Sequence, residues 1–93
     1  MCNPPKNVSK KFIIINDLGL HARPAAMIAK LAQNSKSRVS IIKENEWADA
    51  SSIIDILTLS CLKGTEITVQ IDDRADIDIL NNIAALIEKG FGE

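Results

Sequence analysis

Glu66-Ile67-Thr68-Val69-Gln70-Ile71-Asp72 alternates polar and apolar residues without a break. A period of two places Ile67, Val69 and Ile71 on one face of a strand and leaves the other face to water. A strand with one dry and one wet face belongs to an antiparallel sheet covered on one side only. The rest of the chain must therefore supply helices for that side, and two runs do so. Over Ala22 to Asn34, Ala22, Ala25, Ile28, Ala29 and Ala32 recur at helical spacing. Over about Ala75 to Lys89, Ile77, Leu80, Ala84 and Ile87 share a face, and Gly90 supplies the stop. The chain has 93 residues, enough for one domain. Apolar residues make up 46% and aromatics 3%, so the core is built from aliphatic side chains.

The remaining elements follow from local signals. Residues 1–10 hold two prolines and little that can enter a core, and read as a flexible N-terminal tail preceding a domain over 11–93. Phe12-Ile13-Ile14-Ile15 is a short β-branched strand, and Asn16 to Gly19 a turn. Pro24 is tolerated because it falls in the first turn of the helix. Arg38 to Lys43 is a second strand, Glu44-Asn45-Glu46 a hairpin turn, and Trp47-Ala48-Asp49 a short third strand near an edge. Ser52 opens a short helix from Ile53 to about Leu59, with Ile54 and Ile56 expected in the core, and Lys63-Gly64-Thr65 ends that segment. The order strand, helix, strand, strand, helix, strand, helix is that of an α+β two-layer sandwich.

Composition closes off several function classes. A net charge of −1 points to no nucleic acid and no acidic membrane as partner. No apolar run reaches the roughly 20 residues of a membrane span, and Met1 to Lys6 has no signal-peptide core. Cys2 and Cys61 make no CxxC and no metal spacing with the single histidine. The expectation is a reduced, cytoplasmic protein with no metal and no cofactor. No second acid–base group neighbours the histidine and no glycine-rich nucleotide loop is present, so a turnover enzyme is not indicated.

That histidine, His21, lies where the extended run gives way to the first helix. Backbone N–H groups in a first helical turn lack intrahelical partners and carry the positive end of the dipole, so an anion is welcome there. The helix end and Arg23 both favour the neutral, nucleophilic ring. Such an imidazole can accept a phosphoryl group, with the Ala22 and Arg23 N–H groups and the Arg23 guanidinium meeting its oxygens. The residues alone do not choose which ring nitrogen takes it. Ser52, followed by Ile53-Ile54-Asp55, has the pattern of an N-cap. Met27, off the alanine stripe, and Ile53 and Leu57, one turn apart, are either core residues or an exposed apolar patch.

Gly19-Leu20-His21-Ala22-Arg23-Pro24-Ala25 resembles the active-site motif of the HPr-type phosphocarriers of the bacterial phosphoenolpyruvate:sugar phosphotransferase system. The resemblance spans roughly residues 11–90. It implies an open-faced βαββαβα sandwich with strand order 1-4-2-3 and three helices on one face. It implies that His21 receives a phosphoryl group on Nδ1 from Enzyme I, aided by Arg23, and passes it to Enzyme IIA domains. By the same likeness Ser52 is the target of the HPr kinase/phosphorylase, and Met27, Ile53 and Leu57 form the partner-binding patch. Two features depart from the sugar-transport pattern. Leu18 stands where a small polar residue is common, and Ser51 precedes Ser52 where lysine is often found. Asn16, Leu18, Gly19 and the Gly90-Phe91 tail are also similar to the nitrogen-related NPr branch, a regulatory relay not coupled to sugar import.

Overall fold

The computed structural model describes residues 7–93. Four strands, β1 (Val8–Ile13), β2 (Val39–Lys43), β3 (Glu46–Asp49) and β4 (Glu66–Ile71), form one antiparallel sheet in the order β1-β4-β2-β3. Three α-helices, α1 (Ala22–Ala32), α2 (Ile53–Thr58) and α3 (Ile77–Glu88), complete the βαββαβα order expected from the sequence. Ile67, Val69 and Ile71 of β4 are buried, as their alternation requires, and Ile41 of β2 lies opposite Val69. Ile28 and Ala25 of α1, Ile56 of α2, and Leu80, Ile83 and Ile87 of α3 close on them in one core.

The first strand corrects the sequence reading. It begins at Val8, so residues 8–10, read as tail, pair with Ile71, Gln70 and Val69 of β4. Strand pairing is made by the backbone and needs no apolar side chain. Ser9, Lys10 and Lys11 are exposed there, and edge lysines discourage pairing with a further strand. Ile14, beyond the end of β1, still exchanges backbone hydrogen bonds with Thr65 and Gly64, at 3.0 and 2.7 Å. The remainder of the tail, residues 1–6, lies outside the described residues, and Cys2 with it.

A second correction concerns α2. Ile56 is fully buried, but Ile54 is 74% exposed and belongs to the surface. Residues two apart on a helix point about 160° from each other when successive residues turn by about 100°. A six-residue helix offers one buried stripe, and Ile56 occupies it. In α3, Ile77 is partly exposed and Ile83, not singled out by the periodicity, is buried.

Asp76 precedes α3 and is 2% exposed. It accepts hydrogen bonds from the backbone N–H groups of Lys36 and Ser37, both at 2.8 Å, and from the Ser37 hydroxyl at 2.6 Å. It therefore ties the loop after α1 to the start of α3. Burial alone would push its carboxyl up, but these bonds outweigh burial and hold it below the usual carboxylate range. Asp76→Ala, which leaves three donors unpaired, is expected to cost about 3 kcal/mol and lower the melting temperature by about 15 °C. The depressed folded value means that the Asp76 contribution is complete above the unfolded value near 3.8 and is lost as pH falls through the folded one. Acid unfolding monitored by circular dichroism should accordingly be shallower below pH ~4 in Asp76→Asn than in wild type. Equal acid slopes would contradict this role.

Candidate functional site

The loop between β1 and α1 sets the geometry. Gly19 has φ +64°, a left-handed conformation, and its N–H bonds the Asn16 carbonyl at 3.0 Å. The next residue, Leu20, is buried and donates its N–H to the Cys61 carbonyl at 2.8 Å. The loop is thereby fastened to the segment between α2 and β4 immediately before the histidine. Cys61 is buried and, among the described residues, pairs with no other sulfur; burial pushes its thiol up.

His21 is the N-cap residue of α1, in extended conformation at φ −74° and ψ −171°. Its side chain makes no capping bond, and the first turn holds no acidic residue. The first backbone donor to find a carbonyl is Ala25 N–H, which bonds His21 O at 3.0 Å. Pro24 has no N–H, so the orphan donors of this turn are those of Ala22 and Arg23. Ala22 and Arg23 are exposed, whereas Pro24 and Ala25 are buried and anchor the turn. The sequence-expected arrangement of ring, guanidinium and open helix end is thus assembled from contiguous residues.

The sequence reading missed Glu93. Its Oε2 lies 2.7 Å from His21 Nε2 and 3.1 Å from Arg23 Nη1, while Asn16 Nδ2 donates to its Oε1 at 3.1 Å. Hydrogen bonds from Asn16 and from His21, together with the nearby charges, hold the Glu93 carboxyl below the usual glutamate range. Glu93 reaches the site because the chain turns back after α3. Gly90, Phe91 and Gly92 all have positive φ, and the Phe91 ring is buried in the core. The only sequence signal was glycine flanking a lone aromatic residue, which marks a stop more readily than a return.

Asn16, 6% exposed, also donates Nδ2 to the Gly19 carbonyl at 2.7 Å. Both of its contacts are acceptors, which fixes the amide orientation. Its Oδ1 has no hydrogen-bond partner among the described residues. Leu18 beside it is 67% exposed and contributes no polar group to the site.

The other singled-out residues lie apart from His21 in sequence. Ser52 caps α2, accepting the Asp55 N–H at 3.2 Å, as the N-cap reading required. The neighbouring Ser51 hydroxyl donates to Asp49 Oδ1 at 2.6 Å. Helix α1 packs against α2. Ile53 and Leu57 of α2 are 39% and 40% exposed, and Met27 of α1 is half-buried against the core. Leu62 and Ile54 are more exposed than any of these three, and the sequence did not place them on the surface. No helix among the described residues is long and apolar enough to cross a membrane.

Several proteins of known name resemble this chain in sequence and in architecture. A family model described as the PTS HPr component phosphorylation site matches residues 8–89. The phosphocarrier protein HPr of Cupriavidus necator is 36% identical over 80 residues, covering 86% of this chain and 90% of the relative. The phosphocarrier protein NPr of Klebsiella oxytoca is also 36% identical, over 81 residues and with the same coverage of 86% and 90%. Among solved structures, HPr-C-His from Thermoanaerobacter tengcongensis superposes with a TM-score of 0.86 at 30% identity, covering 92% of this chain and 97% of that one. The histidine-containing phosphocarrier protein of Mycoplasma gives a TM-score of 0.83 at 31% identity, covering 89% and 96%.

Proposed function

This chain belongs to the HPr phosphocarrier family of the phosphotransferase system, and we propose that His21 is its phosphoryl acceptor. One observation carries the assignment. A single carboxylate oxygen, Glu93 Oε2, is held between the His21 ring and the Arg23 guanidinium at the open end of α1. The Arg23 guanidinium beside the ring thus already holds an anionic oxygen, on the Nε2 side of the ring and away from Nδ1. In the forward step the lone pair of His21 Nδ1 attacks the phosphorus carried by phospho-Enzyme I. The new N–P bond forms as the bond from phosphorus to the donor atom breaks, and that electron pair stays with the donor. The N–H groups of Ala22 and Arg23, and the guanidinium, meet the charged oxygens. The reverse geometry delivers the group to an Enzyme IIA domain. A partly exposed ring suits a carrier that meets donor and acceptor in turn, rather than an enzyme that encloses its substrate.

The test is incubation of the protein with Enzyme I and phosphoenolpyruvate, followed by intact-mass measurement. A gain of one phosphoryl group that is lost in mild acid, as a phosphoramidate is, is the expected result. A folded protein that gains none refutes the carrier role.

A second reading keeps the chemistry and changes the partners. NPr of Klebsiella oxytoca is as similar as HPr of Cupriavidus necator, and Leu18 gives the site no polar group. In that reading the chain is an NPr-type regulatory relay component, and nitrogen-type Enzyme I phosphorylates it faster than the sugar-type enzyme. Parallel rates decide between the two.

The half-exposed Ile53 and Leu57, with Met27 on the neighbouring helix, form the surface that partners dock on. Ser52, at the start of the same helix, is placed so that a phosphate there puts negative charge on that surface. Phosphopeptide mapping after incubation with HPr kinase/phosphorylase tests this, and modification confined to Ser51 would exclude Ser52. Work in the cytoplasm follows from partners of this kind.

A further inference from the structure

We propose that Glu93 is a positioning residue that selects the nucleophilic nitrogen of His21, by holding the proton on Nε2 and so presenting Nδ1 with a free lone pair. The inference rests on the phosphocarrier reading and adds a residue to it. An ionised carboxylate only accepts hydrogen bonds. The contact between Glu93 Oε2 and His21 Nε2, at 2.7 Å, is that of a charge-assisted hydrogen bond. The neutral ring has a single proton, so in this geometry it sits on Nε2 and Nδ1 is bare. The carboxylate is kept ionised by its neighbours, the Asn16 amide first among them.

The placement of Glu93 is built rather than incidental. The buried Phe91 ring anchors the returning chain, and Asn16 Nδ2 grips the other carboxylate oxygen. Asn16 in turn is fixed through the Gly19 carbonyl, so the carboxylate is referenced to the same loop that carries His21. The ring is therefore held from Nε2 at a set orientation about the helix N-terminus. Metal-ligating histidines are oriented in the same manner by a carboxylate on the far nitrogen. When Nδ1 forms its bond to phosphorus, no proton must leave that nitrogen. The positive charge that appears on the ring is shared with Nε2–H, against the carboxylate.

Nitrogen-15 NMR of the unphosphorylated full chain reads the tautomer directly, above the pH at which the ring becomes neutral. Wild type is expected to show Nε2 protonated and Nδ1 bare. In Glu93→Ala the ratio of the two tautomers is expected to shift about tenfold toward Nδ1–H, the effect of losing one charge-assisted hydrogen bond. Glu93→Gln, which keeps shape but loses charge, should fall between the two. Phosphoryl uptake from Enzyme I should slow in the same order, in proteins with unchanged circular dichroism. An identical tautomer ratio in wild type and both variants, or Nδ1–H predominant in wild type, overturns the assignment. Failure of wild type itself to accept a phosphoryl group would overturn the carrier reading, and is seen by mass rather than at the ring nitrogens.

Discussion

His21→Ala is expected to abolish phosphoryl uptake from Enzyme I while leaving the fold in place. The chain has one histidine, so no second imidazole can take over. The loss is functional because the residue does little for the helix it begins. Its side chain makes no capping bond, and its ring is partly exposed rather than packed in the core. The backbone bond from Ala25 N–H to the carbonyl of residue 21 survives the substitution. Stability should stay within about 1 kcal/mol of wild type. Intact mass and a thermal melt measured together make the test. A phosphoryl group found on the alanine variant would move the acceptor elsewhere.

Gly19→Ala is expected to fail differently, losing stability and activity together. A Cβ on residue 19 would lie 2.3 Å from the Cys61 carbonyl oxygen and 2.9 Å from Leu62 Cα. Both are backbone atoms, so no side-chain rotation relieves the clash. Its φ of +64° adds a conformational cost of about 1 kcal/mol for any residue with a Cβ. The loop must move away from the segment that holds it, breaking the bond from Leu20 N–H to Cys61 O. The expected loss is about 3 kcal/mol, or about 15 °C in melting temperature. His21 follows Leu20, so its ring is carried out of register with Glu93 and Arg23. A displacement of about 1 Å at a reacting group costs on the order of a hundredfold in rate. The variant should thus react slowly even at temperatures where it is folded. A normal melt would show that the loop has slack that these distances do not suggest.

Much of this protein is readable before folding is considered. The alternation in β4, the small-residue stripe of α1 and the proline in its first turn each specify a local conformation. The site was legible for the same reason: His21, Ala22 and Arg23 are adjacent, and a helix start arranges neighbours regardless of what lies further away. Ser52 as a cap belongs to the same class, since its partner Asp55 is three residues on. The misreadings also have a common source. Residues 8–10 joined the sheet through backbone bonds, which leave no mark in hydropathy. Ile54 and Ile56 are the same residue type, and only the helix's docking decided which is inside.

The sequence by itself determined the element order, the buried faces of β4 and α1, and the position of His21 at a helix start. Tertiary structure alone decided that Asp76 ties two loops, and that Glu93, 72 residues from His21, stands against its ring. Periodicity and capping act over a few residues and are written in neighbouring side chains. A contact between residues far apart in the chain depends on where a buried Phe91 and a set of left-handed turns direct the backbone, and that is fixed only when the core closes around them.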